Sequence, residues 1–289
     1  MIGLTFDTLS ISAAITSDGG DFLSRGSVPC PQTDRRDWLL AVSELLDQMD
    51  APDGAVGVAV PAILHDDLIK FTPQSFLVEA DLRRDLQSAL GRPVKLCGLG
   101  TALGLGAAQN MDMSGTSVTM WIGQYCHGGI LVDGKPIAGA HGAAGNWAHL
   151  QLPSPVPHEL EGRPCWCGRT GCLDAFLSTT GLELDHERLT NDVRSAADIA
   201  TAAATGDIVS ESVMQVFEDR LGRATASIIS IMDPQRILLA GTLPHLDRFA
   251  ERVPRKWPGY VQIDRSNTNL TVLDDGMDVI LRGAASLIV

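Results

Sequence analysis

The chain is short of positive charge and of long apolar runs. Lysine and arginine number 22 against 35 aspartates and glutamates, a net charge of −13. That balance excludes a sequence-independent grip on nucleic-acid phosphates, which needs a basic face. No apolar run approaches the roughly 18 residues that a membrane span needs. The first residues, MIGLTFDTLS, lack the basic segment and apolar stretch of a secretory signal, so the chain is expected in the cytoplasm. Short repeats and low-complexity segments are missing too. With hydrophobic residues at 45% and charged ones at 20%, disordered, collagen-like and coiled-coil compositions are excluded. What remains is a globular protein whose 289 residues suffice for one large domain or two smaller ones with full cores.

Residues 2–6 and 10–16 read as strands, and the turn Ser17-Asp18-Gly19-Gly20 allows 21–28 to return as a third. Trp38, Val42, Leu45 and Met49 recur on one helical face after Asp34. The apolar run 55–60, AVGVAV, has the composition of a strand buried on both faces. A helix over 79–90, a strand over 94–97 and a helix over 101–109 follow. A second block opens with strands at 116–122 and 129–132 and the hairpin turn Asp133-Gly134. Residues 193–232 read as mostly helical, 236–240 and 270–273 as strands, and 278–288 as an amphipathic helix. The order predicts two α/β lobes with a cleft between them. Their boundary is expected near 109–114: residues 1–110, joined by the C-terminal helix 278–289, form one lobe and 111–277 the larger.

Chemistry concentrates in Cys165-Trp-Cys167-Gly-Arg-Thr-Gly-Cys172. In a reducing compartment such clustering favours metal ligation over disulfides. Three thiolates need one more ligand for a tetrahedral zinc site. His149 is the best fourth ligand, with His158 and His141 as rivals. Cys30, Cys97 and Cys126 read as small buried side chains, His127 and His141 as loop or surface histidines, and Glu159 and Glu161 as solvated. Trp121 and Trp166 read as core residues, although Trp166, in the metal loop, could also stack on a ligand.

The cluster and its surroundings resemble the ROK family of bacterial sugar kinases and sugar-responsive repressors. That family carries Gly-Ala-Ala-Gly-Glu-x-Gly-His followed by Cys-x-Cys-Gly-x-x-Gly-Cys-x-Glu. Here stand Gly142-Ala-Ala-Gly145-Asn146-Trp147-Ala148-His149 and Cys165 through Asp174. The continuation, Asp174 to Gly181 with Asp185 to Leu189, is most similar to the fructokinase and N-acetylglucosamine kinase subgroup. Weaker matches follow in the family's order: 56–61, Pro93-Val94, the hairpin at 128–135, and Asp233-Pro234 with Leu238-Leu239-Ala240-Gly241. The resemblance implies the two-lobed actin-like, ribonuclease H-like sugar-kinase fold with a zinc-binding loop. It implies a structural zinc on His149, Cys165, Cys167 and Cys172. It implies a sugar pocket using Asn146, His149, Asp174 and the loop after Pro61, with His149 holding the metal by one ring nitrogen and a sugar hydroxyl by the other. A homodimer is implied as well.

The kinase chemistry implied by the resemblance lacks several of its groups. Phosphoryl transfer to a sugar needs a base for the hydroxyl, backbone N–H groups around the phosphates, and Mg²⁺. The family's base is the Asp of Asn-Asp-x-Asn, and Gly98 and Leu99 stand in its first two places. Leucine accepts no proton, so no catalytic residue is assigned. The first phosphate loop, Asp-x-Gly-Gly-Thr-Lys, aligns with residues 4–9, where only Thr8 survives. The second, Gly-Thr-Gly, is Gly123-Gln124-Tyr125, and the adenosine-side Gly-Gly is Ala240-Gly241. Nucleotide contacts thus reduce to Thr8, Gly123 and Gly241, and ATP and Mg²⁺ are not firm expectations. The reading is a pseudokinase that binds a hexose or amino sugar, its own phosphoryl transfer weak or lost. An active ATP-dependent hexose kinase, with Asp7 as a relocated carboxylate, is the alternative. So are a sugar-responsive regulator without its DNA-binding domain and a scaffold without a small ligand.

Overall fold

Alternation of apolar residues with small or polar ones shapes the first strands, and the rest of the chain follows in α/β order. The structure, a computed structural model, describes residues 1–263 and 266–288. Its elements are β1 (Ile2–Phe6), β2 (Ser10–Thr16), β3 (Phe22–Pro29), α1 (Arg35–Gln48), β4 (Val56–Val60), β5 (Ile63–His65), β6 (Leu68–Phe71), α2 (Leu82–Leu90), β7 (Val94–Gly98) and α3 (Leu99–Ala107). Then come β8 (Thr116–Ile122), β9 (Cys126–Val132), β10 (Lys135–Pro136), α4 (Asp174–Leu177), α5 (Thr179–Thr190), α6 (Ala196–Ala204), α7 (Ile208–Met232), β11 (Arg236–Gly241), α8 (Asp247–Arg252), β12 (Asn269–Val272) and α9 (Gly276–Ser286). The chain divides into two units, Met1–Ser114 with Gly129–Gly145 and Met277–Val289, and Gly115–Gly128 with Asn146–Gly276. The stretch 129–145, expected in the second lobe, thus falls in the first unit. Among the described residues no helix is long and apolar enough to cross a membrane.

The first unit is built on a sheet in the order β3-β2-β1-β4-β7. β1 is antiparallel to β2 and parallel to β4, and β4 is parallel to β7. All five residues of β4 are buried, as its unbroken apolar run predicts. Asp34 caps α1 by accepting the Asp37 N–H at 2.9 Å. The helix buries Trp38, Val42, Leu45 and Leu46, and Trp38 meets the edge of Phe6 at 4.8 Å between ring centroids. The helix expected over 79–90 begins only at Leu82, because Asp81 caps it on the Arg84 N–H at 3.0 Å. The hairpin β5–β6 is not announced by the sequence pattern. It turns at Asp66 and Asp67, both with positive φ (50° and 65°), the mirror-image turn that matches strand twist. α9 lies against this sheet at backbone distance: a side chain on Gly57 would collide with the Ala284 carbonyl, and one on Gly3 with that of Leu281.

In the second unit β8, β11 and β12 run parallel, with β11 central and all but the ends of its run buried. The long helix α7 starts on an Asp207 cap accepting the Ser210 N–H at 2.8 Å. It ends at Asp233, in left-handed conformation before Pro234. Its inner face carries charge. Arg220 and Arg223, both at most 2% exposed, reach Glu159 with Nε at 2.7 Å and with Nη1 and Nη2 at 2.9 and 3.0 Å. Arg220 also bridges to Asp185, which pairs with Arg163. Glu159, expected in solvent, is 5% exposed. Its three-residue helical turn lies against α7, where guanidinium donors compensate its burial.

Candidate metal centre

The segment from Asn146 to Asp174 lies wholly in the second unit. A short 3-10 turn over Trp147–His149 presents His149. The cysteines sit on a tight loop: the Cys165 N–H donates to the Arg169 carbonyl at 2.8 Å and the Gly168 N–H to the Cys165 carbonyl at 3.0 Å. Gly168 adopts φ 84°, a conformation that glycine takes without strain. The loop folds Cys167 back onto Cys172, Sγ to Sγ 3.7 Å, while Cys165 Sγ lies 3.6 Å from His149 Nδ1. The four ligand atoms all lie within 4.8 Å of one another. A tetrahedron with Zn–S bonds of about 2.3 Å has edges of about 3.8 Å, so the donor set and its spacing fit zinc. Four protein ligands leave no open position, the pattern of a structural site. Burial pushes the Cys165 and Cys172 thiols up, so a metal's charge is what would hold them as thiolates. The rival ligands stand elsewhere: His158 lines a hollow beside α7 with Gln215 and Asp219. His141 belongs to the first unit, its ring 5.6 Å from that of His65.

Around this group the structure assembles residues of mixed polarity. Asn146 is half-buried ahead of the His149 turn. Asp174, the first residue of α4, is 4% exposed. Its Oδ1 accepts the Cys126 N–H at 2.6 Å and its Oδ2 the Trp166 indole N–H at 2.9 Å. Burial lifts its pKa to about 6, opposed by the Cys126 N–H, the Trp166 indole and the Cys126 thiol. Trp166 meets the His149 ring at 4.8 Å and 77°, and Tyr125 meets Trp166 at 5.8 Å and 75°. His127, expected on a loop or the surface, lies inside β9. Burial and neighbouring His149 push its pKa down to about 4. Its carbonyl accepts the Trp147 indole N–H at 3.0 Å. Cys126 is buried as expected, whereas Cys97 is only partly so.

The positions nominated for catalysis and nucleotide lie in both units. Leu99, in the first, opens α3 directly after β7 and is 4% exposed. Pro61 and Thr8 belong to the same unit. At the β1–β2 turn the Asp7 carboxylate accepts the N–H groups of Leu9 and Ser10, both at 2.7 Å. Gln74 and Gln32 hold the Asp7 and Thr8 carbonyls at 2.8 Å each. The Asp7 carboxylate is thus hydrogen-bonded within its own turn. In the second unit the pairing of Gly241 with Ile122 brings Gly123 and Gly241 to the carboxyl ends of adjacent parallel strands, where α/β sheets bind ligands. The Trp121 indole, 5% exposed, fills room beside them. A Cβ on Gly123 would stand 2.6 Å from its Nε1, and one on Gly276 3.1 Å from its Cζ3. Sequence reasoning missed Tyr125 as a partner of the metal loop, the Trp166–Asp174 bond, and the arginines on Glu159. The arginines recur along α7 at a spacing of three, a signal that was available.

Comparison with known proteins places these features in context. A family model described as the ROK family matches residues 1–289. The N-acetyl-D-glucosamine kinase of Haemophilus influenzae is 27% identical, covering 99% of this chain and 98% of that protein. A solved ROK family glucokinase from Streptomyces griseus, in complex with glucose and AMPPNP, superposes with a TM-score of 0.86 at 22% identity, over 100% of this chain and 98% of the other. The ROK hexokinase of Thermus thermophilus gives a TM-score of 0.78 at 25% identity, over 99% and 96%.

Proposed function

Since the chain belongs to the ROK family and has the sugar-kinase fold of its relatives, we propose that it binds a hexose or amino sugar beside a structural zinc while transferring phosphate weakly or not at all. Leu99 carries this reading. An aliphatic side chain opens α3 where the resemblance puts the base, and general-base help is worth about 10²–10⁴-fold. Two further observations support it. The Asp7 carboxylate takes up N–H groups of the β1–β2 turn and sets negative charge where phosphate would need bare donors. The Trp121 ring fills space beside Gly123 and Gly276.

His149, Cys165, Cys167 and Cys172 would hold the metal. When bound, zinc supplies rigidity and a fixed histidine tautomer. With Nδ1 turned to the thiols, Nε2 of His149 is the nitrogen that addresses a sugar hydroxyl, and Asn146 supplies an amide on the same stretch. Asp174 supports these groups from behind, with its two oxygens on the Cys126 N–H and the Trp166 indole. The protein would work in the cytoplasm as a homodimer, a state that light scattering on the purified chain reads directly.

A second reading is favoured by likeness along 99% of the chain to an N-acetyl-D-glucosamine kinase: an active ATP-dependent kinase with relocated groups. A coupled ADP-release assay with N-acetylglucosamine, glucose and fructose separates the two. We expect silence from the wild type and from Leu99→Asp, because Asp7 and Trp121 remain. Turnover by the wild type that disappears in His149→Ala would establish the kinase. Thermal shift gives a second view: sugar raises the melting temperature and ATP–Mg²⁺ does not, since only a ligand of the folded state stabilises it.

A further inference from the structure

Three rings stand in a row beside the metal group. Trp166 lies between His149 and Tyr125, edge to face with both, and all three are half-buried. The other tryptophans, Trp38, Trp121, Trp147 and Trp257, are at most 5% exposed. Trp166 rides on the cysteine loop, whereas Tyr125 rides on the turn between β8 and β9. Asp174 ties the two together. One of its oxygens takes the indole N–H of Trp166 and the other the backbone N–H of Cys126, the residue after Tyr125. A hydrogen bond to a carboxylate is about twice as strong as a neutral one and fixes direction. Both oxygens are thereby engaged, and the side chain is 4% exposed.

A sugar ring is amphipathic, with hydroxyls at its rim and C–H groups on its faces. Sites for such ligands combine a few placed polar groups with a flat apolar wall. Asn146 and His149 can supply the first. We propose that Trp166, with Tyr125 at its edge, is the wall on which the C–H face of a pyranose stacks, and that Asp174 is a positioning residue that aims Trp166 and does not touch the sugar. The inference rests on the reading that this site takes a sugar.

Zinc-loaded protein is titrated with N-acetylglucosamine and with glucose, by calorimetry and by tryptophan emission. Because the other indoles are buried, a sugar on Trp166 changes the wild-type emission. Trp166→Ala is expected to lose that change and to weaken binding about tenfold. Trp166→Phe keeps most of the affinity without the optical response. The role of Asp174 is read from a double-mutant cycle. Asp174→Asn turns an amide NH₂ toward one of two N–H donors and weakens binding several-fold when Trp166 is intact. In the Trp166→Phe background, where no indole N–H remains to be aimed, it costs less than about twofold. Zinc content and melting temperature of each variant show that the fold persists. Equal losses in both backgrounds would mean that the carboxylate contacts sugar directly, and full affinity in Trp166→Ala would remove the stacking wall; either overturns the inference. If neither sugar binds the wild type, the sugar reading itself fails and this one with it.

Discussion

Glu159 shows how far a single side chain departs from what its residue type suggests. Burial alone would raise its pKa. The guanidinium groups of Arg223 and Arg220 and the Val156 N–H outweigh that and hold it at about 2, below the ordinary 4.5. A depressed carboxylate contributes stability that is complete above its unfolded pKa and disappears as pH falls through the folded value. The loss therefore falls between about pH 4.5 and about pH 2. Urea unfolding of the wild type should weaken over that window by an amount on the order of 3 kcal/mol. Glu159→Gln should start lower at neutral pH by about 3–5 kcal/mol, since buried arginines lose their partner, and should then fall less steeply. Parallel acid profiles for the two proteins would contradict this. The metal ligands make a second case. Cys167→Ser should abolish stoichiometric zinc as read by elemental analysis, whereas His158→Ala and His141→Ala should retain it. The structure brings together the three cysteines that spacing nominated and His149, rather than His158 or His141; the tight loop gathers the cysteines. Spacing gave no hint that Glu159 is buried, since that depends on arginines about 60 residues away.

Among the elements, α9 packs on the first unit at backbone distance. Gly57 of β4 faces the Ala284 carbonyl, and Gly283 of α9 faces the Ala102 carbonyl of α3, with no room for a methyl group at either. Backbone atoms cannot swing aside as a long side chain can. Gly57→Ala should therefore cost about 1–3 kcal/mol or more, visible as a lower urea midpoint with unchanged slope. Wild-type stability in that variant would mean that helix and sheet stand further apart. The apolar periodicity of residues 278–288 announced the helix, and the pattern of β4 announced a buried strand. Their docking was visible only as glycines at places where a strand or helix would otherwise favour larger residues. The hairpin β5–β6 escaped because its strands are only three and four residues long and its turn uses Asp-Asp, without the glycine that usually marks such a turn. α2 starts three residues later than expected because the Asp81 cap, not periodicity, sets its end, and α3 starts two residues earlier, directly after Gly98.

Across the whole chain, the α/β order and the family were readable because they rest on many weak, ordered signals. The division into units was less so: residues 129–145 lie with the first unit although they adjoin the metal-loop segment in sequence. The distribution of parts has a thermodynamic consequence. Structural zinc binding contributes about 10–16 kcal/mol, comparable with the roughly 5–15 kcal/mol that holds a domain folded. All four ligands lie in the second unit, and the same segment carries Glu159, which buries the charges of Arg220 and Arg223. No helix or strand carries the three cysteines, which sit on a loop tied by a few backbone hydrogen bonds and by the Trp166–Asp174 bond, so a bound metal would be a large share of what orders the loop. Chelation should therefore release amide protection first over 146–174 and then along the Arg220–Arg223 stretch of α7. Protection in β1 and β4 of the first unit should persist, because the strands they pair with all belong to that unit. Hydrogen exchange with mass spectrometry, before and after chelation and after zinc is restored, follows each segment separately. Uniform loss in both units would show that the metal supports the whole chain, and no loss at all would show that the cysteine loop is held by packing instead.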